Sequence, residues 1–141
     1  GTGRQMLAAM VLGAQGVQMG SRFVASEEAS SHINFKNHVI HSQEGDTQLT
    51  LKQLTPVRMM KNEFFMQVQE AEQRGATKEE LIALLGRARA KKGMFEGELE
   101  QGELEIGQVS SLLRDILPAA GIVKNVWEEF MNGLADPLKM V

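Results

Sequence analysis

Residues 1–23 read GTGRQMLAAMVLGAQGVQMGSRF, and the spacing of their glycines decides the fold. Gly1-Thr2-Gly3 runs straight into an apolar helical pattern from Arg4 to Leu12, with Gly13 as its stop. Gly16-Val17-Gln18-Met19 then reads as a short buried strand, followed by Gly20-Ser21 and the apolar pair Phe23-Val24. Loop, helix, strand, loop is one step of a parallel α/β repeat. A lone parallel strand has nothing to pair with, so its partners are expected from residues outside this sequence.

Beyond residue 25 the character changes and helices take over. Ser26-Glu27-Glu28-Ala29 has the composition of a helix start, and Ile33 to Ile40 keeps helical apolar spacing. Leu49 and Leu51 alternate with polar neighbours in residues 48–53, which predicts a short exposed strand before Pro56. Met60, Phe64, Val68 and Ala71 recur at three-to-four spacing up to Gly75, predicting an amphipathic helix. Thr77 with Glu80 forms a capping box ahead of the stripe Leu81, Leu84, Leu85 and Ala88. Residues 93–107 read as irregular turns, then two helices are predicted over Gln108 to Ile116 and Pro118 to Met131, with a loose tail from Gly133. The chain thus divides into a helix-strand module, residues 1–25, and a mainly helical region, residues 26–141.

Composition narrows the function classes. The 141 residues are 43% hydrophobic, enough for one modest core. There is no cysteine, which removes disulfides, thiolate metal sites and a cysteine nucleophile and agrees with a reducing cytoplasm. A net charge of -3 gives no general attraction to nucleic acid or anionic lipid. No apolar run approaches the roughly 20 residues of a membrane helix, so a soluble intracellular chain is expected. Six Phe, one Trp and no Tyr beside nine Met describe an aliphatic core rather than a base-stacking platform.

Small residues opening a helix present free N–H groups and the positive end of its dipole, a setting for phosphate. Gly20-Ser21 lies just past a strand end, where the loops of (β/α) barrels commonly bind phosphate. Without further context such glycines are ordinary turn residues. His32, His38 and His41 with Glu44 and Asp46 lack a familiar metal-ligand spacing, and partly exposed polar histidines are the favoured reading. The basic run Arg87, Arg89, Lys91 and Lys92 is read as a solvated helix end rather than a docking patch. Trp127, beside Val123 and Phe130, is read as core packing or a subunit contact.

The stretch GTGRQMLAAMVLGAQGVQMGSRF resembles the last helix-strand module of the nitronate monooxygenase (2-nitropropane dioxygenase) family and of its relative, the flavin-dependent enoyl-acyl-carrier-protein reductase. SEEASSHINFK, LTPVRMMKN and Gly107-Gln108 resemble segments found in the same order in the reductase-type members. The resemblance implies the C-terminal part of an FMN-binding TIM (β/α)8 barrel, an α/β fold whose share here is mainly helical. It further implies FMN as cofactor, with NAD(P)H as electron donor in the reductases, and an alkyl nitronate or an enoyl thioester as substrate. By the same resemblance, Gln18, Met19, Gly20 and Ser21 close on the FMN phosphate and Gly3 belongs to the matching phosphate loop. Ser21 stands where many members have Thr, which keeps the hydroxyl. Ile106 replaces the alanine of the family's Ala-Gly-Gln segment, which weakens a role for Gly107-Gln108. The family's catalytic histidine lies upstream of this module, so no catalytic residue and no metal ligand is assigned here, and a piece inactive alone is expected. His32 matches a family segment without a chemical role. Two other readings remain: a non-catalytic helical interaction domain, and a regulatory module binding a phosphorylated ligand. Val17, Met19 and Phe23 should show apolar surface, covered by the absent strands or by a second copy in a homo-oligomer.

Overall fold

The computed structural model describes residues 1–137. Helix α1, Gly3–Val11, starts at Thr2, whose hydroxyl accepts from the Gln5 N–H while the Gln5 side chain returns to the Thr2 backbone. That reciprocal cap satisfies two of the donors a helix start leaves open. Residues 16–19 form no strand, a correction of the sequence reading. No described segment offers a parallel ladder to them, and a strand without a neighbour leaves its backbone groups to water. Val17 is 40% exposed, while Met19 and Phe23 are half-buried.

A four-residue helix, α2 (Ser21–Val24), follows Gly20. The acidic stretch after it does not open a helix: Ser26 Oγ donates to the Phe23 carbonyl and accepts from the Ala29 N–H. The Glu28 carboxylate instead accepts from the Ala119 N–H at 2.8 Å. It thereby places an acidic group at the start of a distant helix, where the dipole favours one. Helix α3, Ile33–Ile40, begins later, with His32 as its cap; His32 Nδ1 accepts from the Asn34 N–H.

Strands β1 (Thr47–Thr50) and β2 (Val57–Met60) pair antiparallel, Thr47 opposite Met60 and Thr50 opposite Val57. The first matches the predicted extended segment. The second corrects the helix expected from Met60: helix α4 starts only at Glu63 and runs to Gln73, capped by Asn62. Residues 104–106 add a third edge, with the Met60 N–H on the Leu104 carbonyl and the Ile106 N–H on the Arg58 carbonyl. Helix α5, Lys78–Leu85, carries the predicted capping box of Thr77 and Glu80.

A π-helical turn, Lys91–Phe95, and a 3-10 turn, Gln108–Leu112, occupy the rest of the irregular region. The 3-10 turn replaces the longer helix expected to Ile116, because Leu113 already has extended backbone. Helix α6, Ala119–Ala135, follows Pro118. It continues through Gly133, which is buried, so the expected loose tail does not begin there; residues 138–141 lie outside the described residues.

Apolar side chains gather in two clusters. Phe64, Phe65, Val68 and Leu81 pack under Leu51 and Met59 between α4, α5 and the sheet. Phe35, Val39, Met60, Leu104, Ile106 and Leu113 join α3 to the other side of β2. Helix α1 lies against α6, where buried Gly3 lets the two backbones meet: a Cβ there would stand 2.4 Å from both the Phe130 nitrogen and the Val126 oxygen.

Candidate functional site

Gly20 and Ser21 sit where the chain turns into α2; the Phe23 and Val24 N–H groups donate back to the Gly20 carbonyl, which leaves those of Ser21 and Arg22 at the open end of the turn. Space in front of Gly20 is open; a Cβ added there would meet nothing within 4 Å. Ser21 Oγ accepts from the Gly107 N–H at 3.1 Å, so its own proton is left to donate elsewhere. This bond joins positions 86 residues apart and brings Gly107-Gln108 beside the Gly20-Ser21 loop. The first loop arrives at the same place: Gly1 lies against Val109, Leu113 and the Arg22 side chain.

Arg22 fixes this arrangement from behind. It is buried and ion-paired to Asp115 at 2.5 Å, with a second bond to the Asp115 carbonyl at 3.1 Å. A buried guanidinium left unpaired would be strongly destabilising, so the pair pins α2 to the segment after the 3-10 turn. Reasoning from sequence missed Arg22. Its only signal was an arginine placed between a glycine loop and an apolar pair.

The other predicted positions are distributed differently. The Gly3 N–H donates to Glu129 Oε2 at 2.7 Å, so a carboxylate from α6 already occupies the start of α1. Gln18 is exposed. Met19 lines an apolar hollow of about 250 Å³ with Phe23, Val17, Met6, Val126 and Trp127. Trp127 is 53% exposed and its ring lies 5.4 Å from that of Phe130.

Remaining candidates have structural explanations. The His32 ring packs on Gly97, where a Cβ would come within 2.2 Å of Nδ1. The His41 ring bonds the Asn37 carbonyl. No group of three or more His, Asp or Glu suited to a metal occurs among the described residues. Arg89 donates to the Leu84, Leu85 and Gln101 carbonyls and lies 4.4 Å from the Phe64 ring centre. It closes the C-terminal end of α5, as the helix-end reading of the basic run expects. Lys91 and Lys92 pair with Glu96 and Glu98. No helix among the described residues is long and apolar enough to cross a membrane.

A larger cleft, about 1110 Å³, is lined by Gln5, His41, Glu44, Arg58, Gln108 and Arg114 among others.

The chain is similar to known proteins in sequence and in fold. A probable nitronate monooxygenase of Staphylococcus saprophyticus is 41% identical over 70 residues, 48% of this chain and 19% of that protein. One from Staphylococcus haemolyticus is 50% identical over 48 residues, 34% of this chain and 13% of that protein. The solved structure of FabK from Thermotoga maritima superposes on 99% of this chain with a TM-score of 0.89 and 31% identity. The chain spans 44% of the length of that structure. A nitroalkane oxidase from Streptomyces ansochromogenes shares the fold, with a TM-score of 0.75 over 95% of this chain at 23% identity. The family model for nitronate monooxygenase matches residues 1–129, and the chain belongs to that family.

Proposed function

We propose that these residues form the phosphate-holding end of an FMN-dependent oxidoreductase of the nitronate monooxygenase type, set in a TIM (β/α)8 barrel. The observation that carries the reading is the Ser21–Gly107 bond, which gathers the Gly20-Ser21 loop, the Gly1 loop and the 3-10 turn around one open, donor-rich face. Gly20 and Ser21 would hold the phosphate through α2 N–H groups and the Ser21 hydroxyl. The donor set fits an anion with no basic side chain needed in contact.

Gly3 would act only by seating the Gly1 loop on α6, since its own N–H is engaged by Glu129 and that carboxylate offsets the positive end of α1. Gln18 and Met19 would lead the backbone into the loop, with Met19 anchoring it on α1 and α6. The flavin, when bound, supplies the electron transfer, and the protein supplies binding and orientation. Arg22 and Asp115 keep the loop from shifting as the anion enters. No described residue is assigned as acid or base, and the 141 residues alone are expected to show no turnover.

A second reading, reduction of an enoyl thioester with NAD(P)H, is favoured by the region after Phe23. There α3, α4 and α5 pack around a two-stranded sheet and α6 lies on α1, an extensive helical region of the kind that resembles the reductase-type members.

Flavin fluorescence titration tests the cofactor site. FMN should bind the chain more tightly than riboflavin, and Ser21→Ala should weaken FMN by about tenfold, the worth of one hydrogen bond to a charged group, without affecting riboflavin. Equal binding of the two flavins would remove the phosphate cup. Nitronate oxidation by these residues alone would overturn the expected inactivity.

A further inference from the structure

The cleft of about 1110 Å³ is walled by the end of α3, the loop into β1, β2 and the 3-10 turn. Two guanidinium groups line it. Arg58, half-buried on β2, donates from Nη1 to the Thr47 carbonyl at 3.1 Å and to Thr47 Oγ1 at 3.3 Å. Arg114, exposed just past the 3-10 turn, donates from Nη1 to the Ser42 carbonyl at 3.4 Å and to the Leu113 carbonyl at 2.7 Å. Arg58 leans on the first residue of β1 and Arg114 on the loop between α3 and β1, and both are aimed by uncharged groups.

Several other cations of the described residues are tied down by carboxylates or fully engaged by carbonyls. Arg22 is paired with Asp115, and Lys91, Lys92 and Lys124 with glutamates. Arg89 is consumed by three carbonyls and a ring. Among the described residues no carboxylate lies within 4.0 Å of Arg58 or Arg114. Glu44 lines the cleft without pairing with either of them, and His41 has its Nδ1 on the Asn37 carbonyl. A guanidinium has five N–H donors, and aiming uses one nitrogen of each. Two such forks on one concave wall repel each other and hold spare donors in the geometry that phosphate oxygens accept.

Position gives the cleft its use. Gln108 lines it, and the preceding Gly107 is bonded to Ser21, so the cleft begins where the proposed flavin cup ends. Its volume exceeds what a small nitronate occupies and reaches the scale of nucleotide-sized ligands.

We infer that Arg58 and Arg114 form an anion subsite that holds the phosphate of a long substrate or electron donor whose other end reaches the flavin. The ligand chemistry is a phosphoryl group, carried on a phosphopantetheine thioester or on a nicotinamide dinucleotide. Which molecule is served rests on the flavin reading; the anion subsite itself does not.

Calorimetric titration of the purified chain with inorganic pyrophosphate tests it. Pyrophosphate should bind, and Arg58→Gln or Arg114→Gln should weaken it by about tenfold or more, as expected for losing a charge-assisted contact. Arg114→Gln is the decisive variant, because its side chain is exposed and its thermal melt should match the unmodified chain. Competition by coenzyme A or by NADPH then names the source of the phosphate, and displacement of pyrophosphate by either supports the subsite. No pyrophosphate binding, binding indifferent to Arg114→Gln, or displacement by FMN would each overturn it, the last by showing the cleft to be the flavin's own. FMN binding is followed separately by flavin fluorescence. If FMN fails to bind while pyrophosphate binds, the flavin reading falls and the subsite stands.

Discussion

Replacing Gly3 by alanine separates a packing glycine from a phosphate-loop glycine. The added Cβ would stand 2.4 Å from two backbone atoms of α6 and 2.7 Å from the Glu129 Cβ. Ordinary contact begins at 3.4 Å, so α1 and α6 must part by about 1 Å at this point. Backbone on both sides leaves no flexible side chain to absorb the clash, and overpacking of this kind costs about 1–3 kcal/mol. Separation also stretches the 2.7 Å bond from Gly3 to Glu129, a charge-assisted contact worth roughly 1.5–3 kcal/mol when lost. Against these, alanine gains at most about 1 kcal/mol of helix propensity over glycine. The net expectation is a loss of about 2–3 kcal/mol, a midpoint shift of about 1–2 M urea for a domain of this size. Urea unfolding followed by Trp127 fluorescence reads it, with no flavin present. Gly20→Ala is the control: nothing lies within 4 Å of its Cβ, so stability should hold while FMN binding weakens. A Gly3→Ala protein within about 0.5 kcal/mol of the unmodified chain would refute the close approach of α1 and α6, since that scatter is typical of surface substitutions.

Three further substitutions probe other parts of the fold. Ser110 is 0% exposed and its hydroxyl has no hydrogen-bond partner among the described residues; Ser110→Ala should raise stability by about 1 kcal/mol, and urea unfolding that shows a loss of that size would reveal a hidden partner. Thr77→Ala removes the cap of α5 and should lower stability by about 1 kcal/mol in the same assay, while Thr77→Ser should retain it. Burial first, then the neighbouring Glu105, raise the Glu103 pKa, with Arg89 opposing; the folded state therefore binds this proton more tightly than the unfolded chain. Its ionisation lowers stability as pH rises from the ordinary carboxyl value through the raised one, and the penalty persists above that. Glu103→Gln should flatten the part of the stability profile that lies just above the ordinary carboxyl range, and an unchanged slope would exclude the assignment.

Local signals were legible and remote ones were not. The Thr77 box, the stop of α1 near Gly13 and the stripe from Phe64 to Ala71 each need only a few neighbouring residues, and each stands in the structure. Met60 kept helical spacing with Phe64 yet belongs to β2, because its pairing with Thr47 across the sheet outweighs the spacing. Ser26 to Ala29 has helix-start composition, but Glu28 serves α6, far along the chain. Residues 16–19 carry strand composition without a ladder to join. At the candidate site, Gly20 and Ser21 can be proposed from their place after an apolar run. Arg22, Glu129, Arg58 and Arg114 were not, since their partners lie elsewhere in the sequence.

The same distribution explains how the glycine-rich opening acquires a defined shape. Short glycine loops have little conformational preference of their own, and the four-residue α2 is too short to hold its geometry unaided. Each loop is instead fixed by a bond to the helical region: Gly3 to Glu129, Ser21 to Gly107, Arg22 to Asp115, and Glu28 to Ala119. All four partners fall between residues 107 and 129, within the span matched to the family and beyond residue 25. Ordering the loops before a ligand arrives removes an entropic cost from binding. The long helical region would therefore serve the proposed phosphate site as its frame, and a shift of α6 or of the 3-10 turn would reach Gly20 and Ser21 without touching either.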